Sequence, residues 1–174
     1  DADNNPLAYT ITSAPSHGTL SGTAPNLTYT PTANYNGSDS FSFSANDGIL
    51  ESNVASVSIT VASVNDAPVA VADSATTPED SAISRDVAAN DTDIDGNVVA
   101  STIVITTAPA HGTAVLTAGK VLYTPTANFN GSDSFSYSIK DDGNSTSNVA
   151  NVAITITATN DAPVISGTPA VTVN

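Results

Sequence analysis

Cysteine, methionine and tryptophan are absent from this chain of 174 residues, and only Arg85, Lys120 and Lys140 are basic. Without cysteine, neither a disulfide nor a thiolate metal site can hold the fold together. A net charge of −14 excludes the basic patches that nucleic acid or an anionic membrane surface requires. No apolar run of about 18 residues occurs, the length a helical membrane span needs. Aromatic residues are few, five Tyr and four Phe, so any core is modest and a further staple is expected.

What is present is acid of one kind. Of the 17 acidic residues, 15 are Asp. Solubility alone would be served equally by Glu. A bias toward Asp suits calcium, a hard cation that takes oxygen ligands and needs no cysteine.

The sequence also repeats itself at a spacing of about 94 residues. TYTPTANYNGSDSFSFS at 28–44 returns as LYTPTANFNGSDSFSYS at 122–138, and ITSAPSHGT at 11–19 as ITTAPAHGT at 105–113. NDAPV at 65–69 returns at 160–164. Helix signals are nearly absent, whereas period-2 alternation marks LAYTIT (7–12), SFSFS (40–44), VASVSITV (54–61), SFSYSI (134–139) and VANVAITI (149–156). Turn clusters separate these stretches, so the expected class is all-β, built as antiparallel Greek-key sandwiches linked end to end. Residues 65–160 form one complete repeat. Residues 1–64 read as a repeat lacking its first two strands, and 161–174 as the first strand of a following one. The chain thus reads as a two-module stretch of a longer array, cut out of phase.

Acidic and amide residues gather where one repeat hands over to the next. The candidate calcium ligands at that joint are Asp47, Asn65, Asp66, Glu79, Asp80, Asp91, Asp93 and Asp95. Alternate Asp residues in NDTDIDGN can converge on one ion when the backbone loops, and linker carbonyls add oxygens. Partial sites are expected at Asp1 and Asp3, and at Asp141, Asn160 and Asp161. The competing reading is a solvated acidic face whose Asn and Asp side chains only initiate turns.

A Pro-Glu near the repeat start, a DxD and an Asn-Asp linker resemble the interdomain calcium site of cadherins. More closely, the order NDAPVA, ED, ANDTDIDG, HGT, YTP, NFNGSDSFSY resembles the cadherin-like, immunoglobulin-like tandem repeats of large bacterial surface adhesins. The resemblance covers essentially the whole chain. It implies that Glu79, Asp93, Asp95, Asn65 and Asp66 bind calcium between successive domains, with Asp47 a looser match. It also implies an extracellular extender region, stiffened by calcium, that supports adhesion and biofilm formation.

Other motifs are expected to be structural. His17 and His111 occupy equivalent turns and lack a partner for catalysis, so no enzyme is expected. Tyr35 with Asp39, and Phe129 with Asp133, resemble the corner that leads into a central strand of immunoglobulin-like sandwiches. The partners anticipated are neighbouring repeats, with other copies of the chain or a surface glycan as the alternative.

Overall fold

The computed structural model describes residues 5–163 and 167. The chain divides into two compact units, Asp1–Asn65 and Asp66–Asn174, and among the described residues every regular element is a strand. The expected strand of a following repeat, and the partial site at Asp1 and Asp3, fall outside the described residues.

Unit 1 contains β1 (Ala8–Ser13), β2 (Gly18–Thr23), β3 (Asn26–Pro31), β4 (Gly37–Asn46) and β5 (Ala55–Val61). Strands β1, β4 and β5 make one sheet with β4 central, and β2 pairs with β3. Unit 2 contains β6 (Asp73–Pro78), β7 (Ile83–Arg85), β8 (Val98–Thr107), β9 (Gly112–Thr117), β10 (Lys120–Pro125), β11 (Gly131–Asp141) and β12 (Ala150–Thr157). Its sheets run β6-β12-β11-β8 and β7-β10-β9, so the chain crosses between sheets repeatedly while β9–β10 and β11–β12 pair within one, as in a Greek-key sandwich.

Alternation produces this architecture directly. Along β12, Ala150, Val152, Ile154 and Ile156 are buried while the residues between them are exposed, which is the period-2 pattern of a strand with one packed face. Strand β11 turns Phe135, Tyr137 and Ile139 into the same core, each at most 1% exposed. Each such side chain contributes about 1.5–3 kcal/mol on burial. Val87, which follows β7, and Val121 of β10 close the core from the other sheet at 0% exposure. In unit 1 the alternation is less clean than SFSFS suggests. Ser44 is itself buried at 2%, because its hydroxyl donates to Glu51 Oε1 at 2.6 Å.

One pairing departs from the antiparallel expectation. Strand β6 runs parallel to β12, from Asp73 opposite Val152 to Pro78 opposite Thr157. The chain enters unit 2 at the end where β12 begins, so both strands travel the same way. That end is the entry pole of the unit, and the end where β12 finishes is its exit pole.

The turns are set by residues that tolerate a left-handed backbone. Asn34 and Asn128 adopt φ of 60° and 57° at equivalent positions, where asparagine is among the least strained non-glycine residues.

Candidate functional site

The entry pole of unit 2 gathers Asp66, Asp93, Asp95, Asn97 and Asp142. Asp93 closes the DTDIDG loop on itself: its Oδ1 accepts the N–H groups of Asp95 and Gly96, both at 3.1 Å. Asp95 in turn accepts the backbone N–H of Asp66 at 3.2 Å on Oδ2, fastening the linker residue to the loop. Asp142, at the tip of the β11–β12 hairpin, receives the backbone N–H and the side-chain amide of Asn97, both at 3.1 Å. These Asn97 contacts, side chain first, hold the Asp142 carboxyl below the usual range.

Gly96 is the floor of this pole. A Cβ there would stand 2.6 Å from Asp142 Oδ1 and 3.4 Å from Asp93 Oδ2, so only glycine lets both carboxylates approach. Asp93 Oδ2 is buried and has no hydrogen-bond partner; among the described residues the only other such oxygen is Asp73 Oδ2. An unpartnered buried carboxylate oxygen is costly unless a cation or donor reaches it. Among the described residues no three acidic or histidine side chains already stand close enough to hold a metal. The donor set nevertheless fits a hard cation: it is all oxygen, and one of those oxygens lacks a partner.

Glu79 and Asp80 are not at this pole. Glu79 Oε1 accepts the N–H of Thr159 at 2.6 Å, and the Glu79 N–H donates to Thr157. Asp80 accepts the N–H of Asn128 at 2.9 Å. Both therefore lie at the exit pole, one sheet height away along β11, which spans 11 residues and about 30 Å at strand rise. The expected grouping of Glu79 and Asp80 with Asp93 and Asp95 is corrected accordingly. Nearness in sequence misled, because β6 carries the chain down the sheet before β7 brings it back. The residues beside Glu79 belong to the outgoing segment, with Asn160 and Asp161 just beyond Thr159.

Asp91 has a different role from its neighbours. The Tyr137 hydroxyl lies 2.9 and 3.0 Å from its two oxygens, which share the single O–H with the other acceptors around it, and Oδ1 also accepts the Val71 N–H. Tyr137 is fully buried and its hydroxyl also lies 2.7 Å from the Val87 carbonyl, an alternative acceptor for the same proton, so Asp91 is tied into the core. Burial, then the bond to Asp91, drives the Tyr137 hydroxyl pKa far upward.

Asp47 closes the β4–β5 hairpin of unit 1, accepting the N–H groups of Ile49 and Leu50. Asp141 does the same for Ser145 at 2.7 Å. Asn65 is assigned to unit 1 and Asp66 to unit 2.

A second constellation occurs in both units. Asp39 accepts the N–H groups of Ser16, His17 and Ser40 and the hydroxyl of Tyr29. Asp133 accepts those of Ala110, His111 and Ser134 and the hydroxyl of Tyr123. Burial pushes the Asp39 carboxyl up, but these donors outweigh it and bring it down to about 2. Above each carboxylate a histidine stacks on an aromatic ring, His17 on Tyr35 at 4.1 Å and His111 on Phe129 at 3.9 Å. The expected corner is present, but its anchor is Asp with Tyr29 or Tyr123.

Sequence reasoning missed Asp142. The signal was the doubled Asp141–Asp142, where the first repeat reads Asp47–Gly48.

No curated protein matches the sequence. Among solved structures the chain is similar to an endo-fucoidan hydrolase of glycoside hydrolase family 107, at 26% identity and a TM-score of 0.40. That match covers 90% of this chain and 24% of the hydrolase, so the chain spans about a quarter of it. It is similar to domains 1–2 of chicken VE-cadherin at 21% identity and a TM-score of 0.43, covering 88% of this chain and 85% of that one. Domains 1–5 of protocadherin gamma B2 match at 15% identity and a TM-score of 0.49, over 90% of this chain and 33% of that one. The bacterial Ig domain family matches twice in succession, at residues 1–60 and 65–155. The chain belongs to the bacterial Ig domain family.

Proposed function

We propose that this chain is an extender segment of an extracellular bacterial surface protein, stiffened by calcium at the entry pole of unit 2. The observation that carries the reading is the buried, unpartnered Asp93 Oδ2 beside Asp142, on a floor that only glycine permits. Asp66, Asp93, Asp95 and Asp142 would hold the ion, which would supply the concentrated positive charge needed to draw their carboxylates together.

The chain's own residues explain why binding would stiffen the linker. Asp66 is the first residue after the division between units and already bonds the DTDIDG loop through its N–H. Without the cation, mutual repulsion among the carboxylates weakens that tie. With it, the linker, the loop and the β11–β12 hairpin share one centre. Glu79, beside the outgoing Thr159, is placed to serve the following joint in the same way. Such an array would carry an adhesive domain away from the cell and support adhesion and biofilm formation. The Ig-like family is typically non-catalytic, and no reaction is proposed.

Small-angle scattering and thermal melting of the 174-residue chain, with calcium and with a chelator, test this reading. Calcium should raise the melting temperature and narrow the distribution of overall dimensions. Identical curves in both conditions would overturn it.

A further inference from the structure

The segment that enters unit 2 is fastened residue by residue before its first strand begins. Val69 exchanges two backbone hydrogen bonds with Thr92, at 2.7 and 3.1 Å. Asn148 grips the backbone of Ala70, its Oδ1 accepting the Ala70 N–H at 3.0 Å and its Nδ2 donating to the Ala70 carbonyl at 2.8 Å. The Val71 N–H donates to Asp91 Oδ1 at 2.8 Å, and Asn90 Nδ2 donates to the Ala72 carbonyl at 3.3 Å. Arg85 Nη2 then donates to Asp73 Oδ1 at 3.4 Å, where β6 begins. The fasteners come from β7, from the loop after it and from the segment ahead of β12. Asp91 is the deepest of them, because its carboxylate also receives the buried Tyr137 hydroxyl.

The same strand is fastened again at its far end. Strand β6 lies on β12 from Asp73 opposite Val152 to Pro78 opposite Thr157. The Glu79 N–H then continues the ladder onto the Thr157 carbonyl at 2.9 Å, and the Thr159 N–H returns to Glu79 Oε1 at 2.6 Å. Tension along the chain reaches unit 2 at Asp66 and leaves it beyond Thr159, at opposite poles. It draws β6 toward the entry pole and β12 toward the exit pole. Because the two strands are parallel and adjacent, they must slide past one another along their length. Parallel ladder bonds are evenly spaced and run from strand to strand, so the load is shared and the bonds fail together. A pair loaded from one end would instead open bond by bond.

We propose that unit 2 is a force-bearing module, in which the fastened segment 69–73 and the β6–β12 ladder act as one shear clamp. The clamp depends on the extender function only for the source of its tension. Asn148 and Asn90 are its adjustable parts, since each gives its amide to backbone that enters ahead of the ladder. Load arriving from the linker meets these bonds first and passes to the ladder only when they yield. Survival under load is set by the unfolding rate rather than by equilibrium stability. Bonds that hold until β6 begins to slide therefore lengthen the lifetime of the folded module.

The absence of cysteine lets pulling handles be placed at chosen residues. In the chain carrying Val64→Cys with Ala162→Cys, optical tweezers load unit 2 from pole to pole, in shear. Val64→Cys with Thr146→Cys puts both handles on the entry side, at the β11–β12 hairpin, so that β6 peels from one end. All three positions are exposed. Both chains are pulled in chelator, which separates the outcome from calcium binding. At a fixed force the shear pair should unfold about tenfold or more slowly than the peel pair. Adding Asn90→Ala and Asn148→Ala together, with the fold checked by circular dichroism, should speed shear unfolding by about tenfold or more. Equal lifetimes in the two pulling directions, or shear unfolding unaltered by the paired substitutions, would overturn the proposal.

Discussion

Tyr123 donates its hydroxyl to Asp133 at 2.7 Å, and Tyr29 repeats the bond to Asp39 at 2.9 Å. One buried carboxylate per unit thus ties the HGT turn, the strand before the NG turn and the strand after it. Removing the hydroxyl leaves the carboxylate with one donor fewer in a site that water reaches poorly. Tyr123→Phe should lower the stability of unit 2 by about 1–3 kcal/mol, and Asp133→Ala should cost more because several N–H groups lose their acceptor. Urea unfolding of both variants checks the order.

The same bonds set a response to pH. With its folded pKa depressed to about 2, below the ordinary carboxylate value, Asp39 contributes stability that is complete above about pH 4. That contribution is lost as pH falls toward 2. Asp133, likewise lowered against the pull of burial, acts in the same direction. Tyr29 is raised to about 12, by burial first and then by Asp39. Its contribution is complete below pH 10 and lost as pH climbs toward 12. Asp39→Asn should flatten the acid limb of stability against pH, and absorbance titration of tyrosinate should show Tyr29 ionising late.

Much of this was legible in the sequence. The repeat and the alternating stretches around β1, β4, β5, β11 and β12 are visible as strings, because a strand with one packed face must alternate. The short strands were not. β6 reads DSATTP and β7 only ISR, and their inward positions are Ala, Thr and a single Ile, too weak to show a period. Leaving β6 unread is also what grouped Glu79 with Asp93, because that strand carries the chain to the other end of the sheet. Repetition made the Asp39 and Asp133 corner visible, but not its tyrosine partner ten residues earlier. That link depends on two strands crossing between sheets.

Glu79 gives a prediction that separates the poles. Its carboxylate is 5% exposed and fastens the outgoing Thr159. Glu79→Ala should destabilise unit 2 by about 1–3 kcal/mol, yet leave calcium binding at the entry pole unchanged. A calcium titration of this variant that loses the Asp93 site would place the two residues in one site after all.

Gly96 tests the floor. Gly96→Ala introduces a methyl carbon 2.6 Å from Asp142 Oδ1, closer than any real Cβ contact, so Asp142 must swing away. Calcium affinity should fall by about tenfold or more, with unit 2 still folded by circular dichroism.

Calorimetric titration of calcium into the 174-residue chain, beside its Asp93→Asn variant, decides whether the entry pole is a calcium site. Saturable binding is expected with a dissociation constant on the order of 10⁻⁴–10⁻³ M, as in extracellular modules, with its loss in the variant. Absence of binding in the natural sequence, or equal binding by Asp93→Asn, would contradict it.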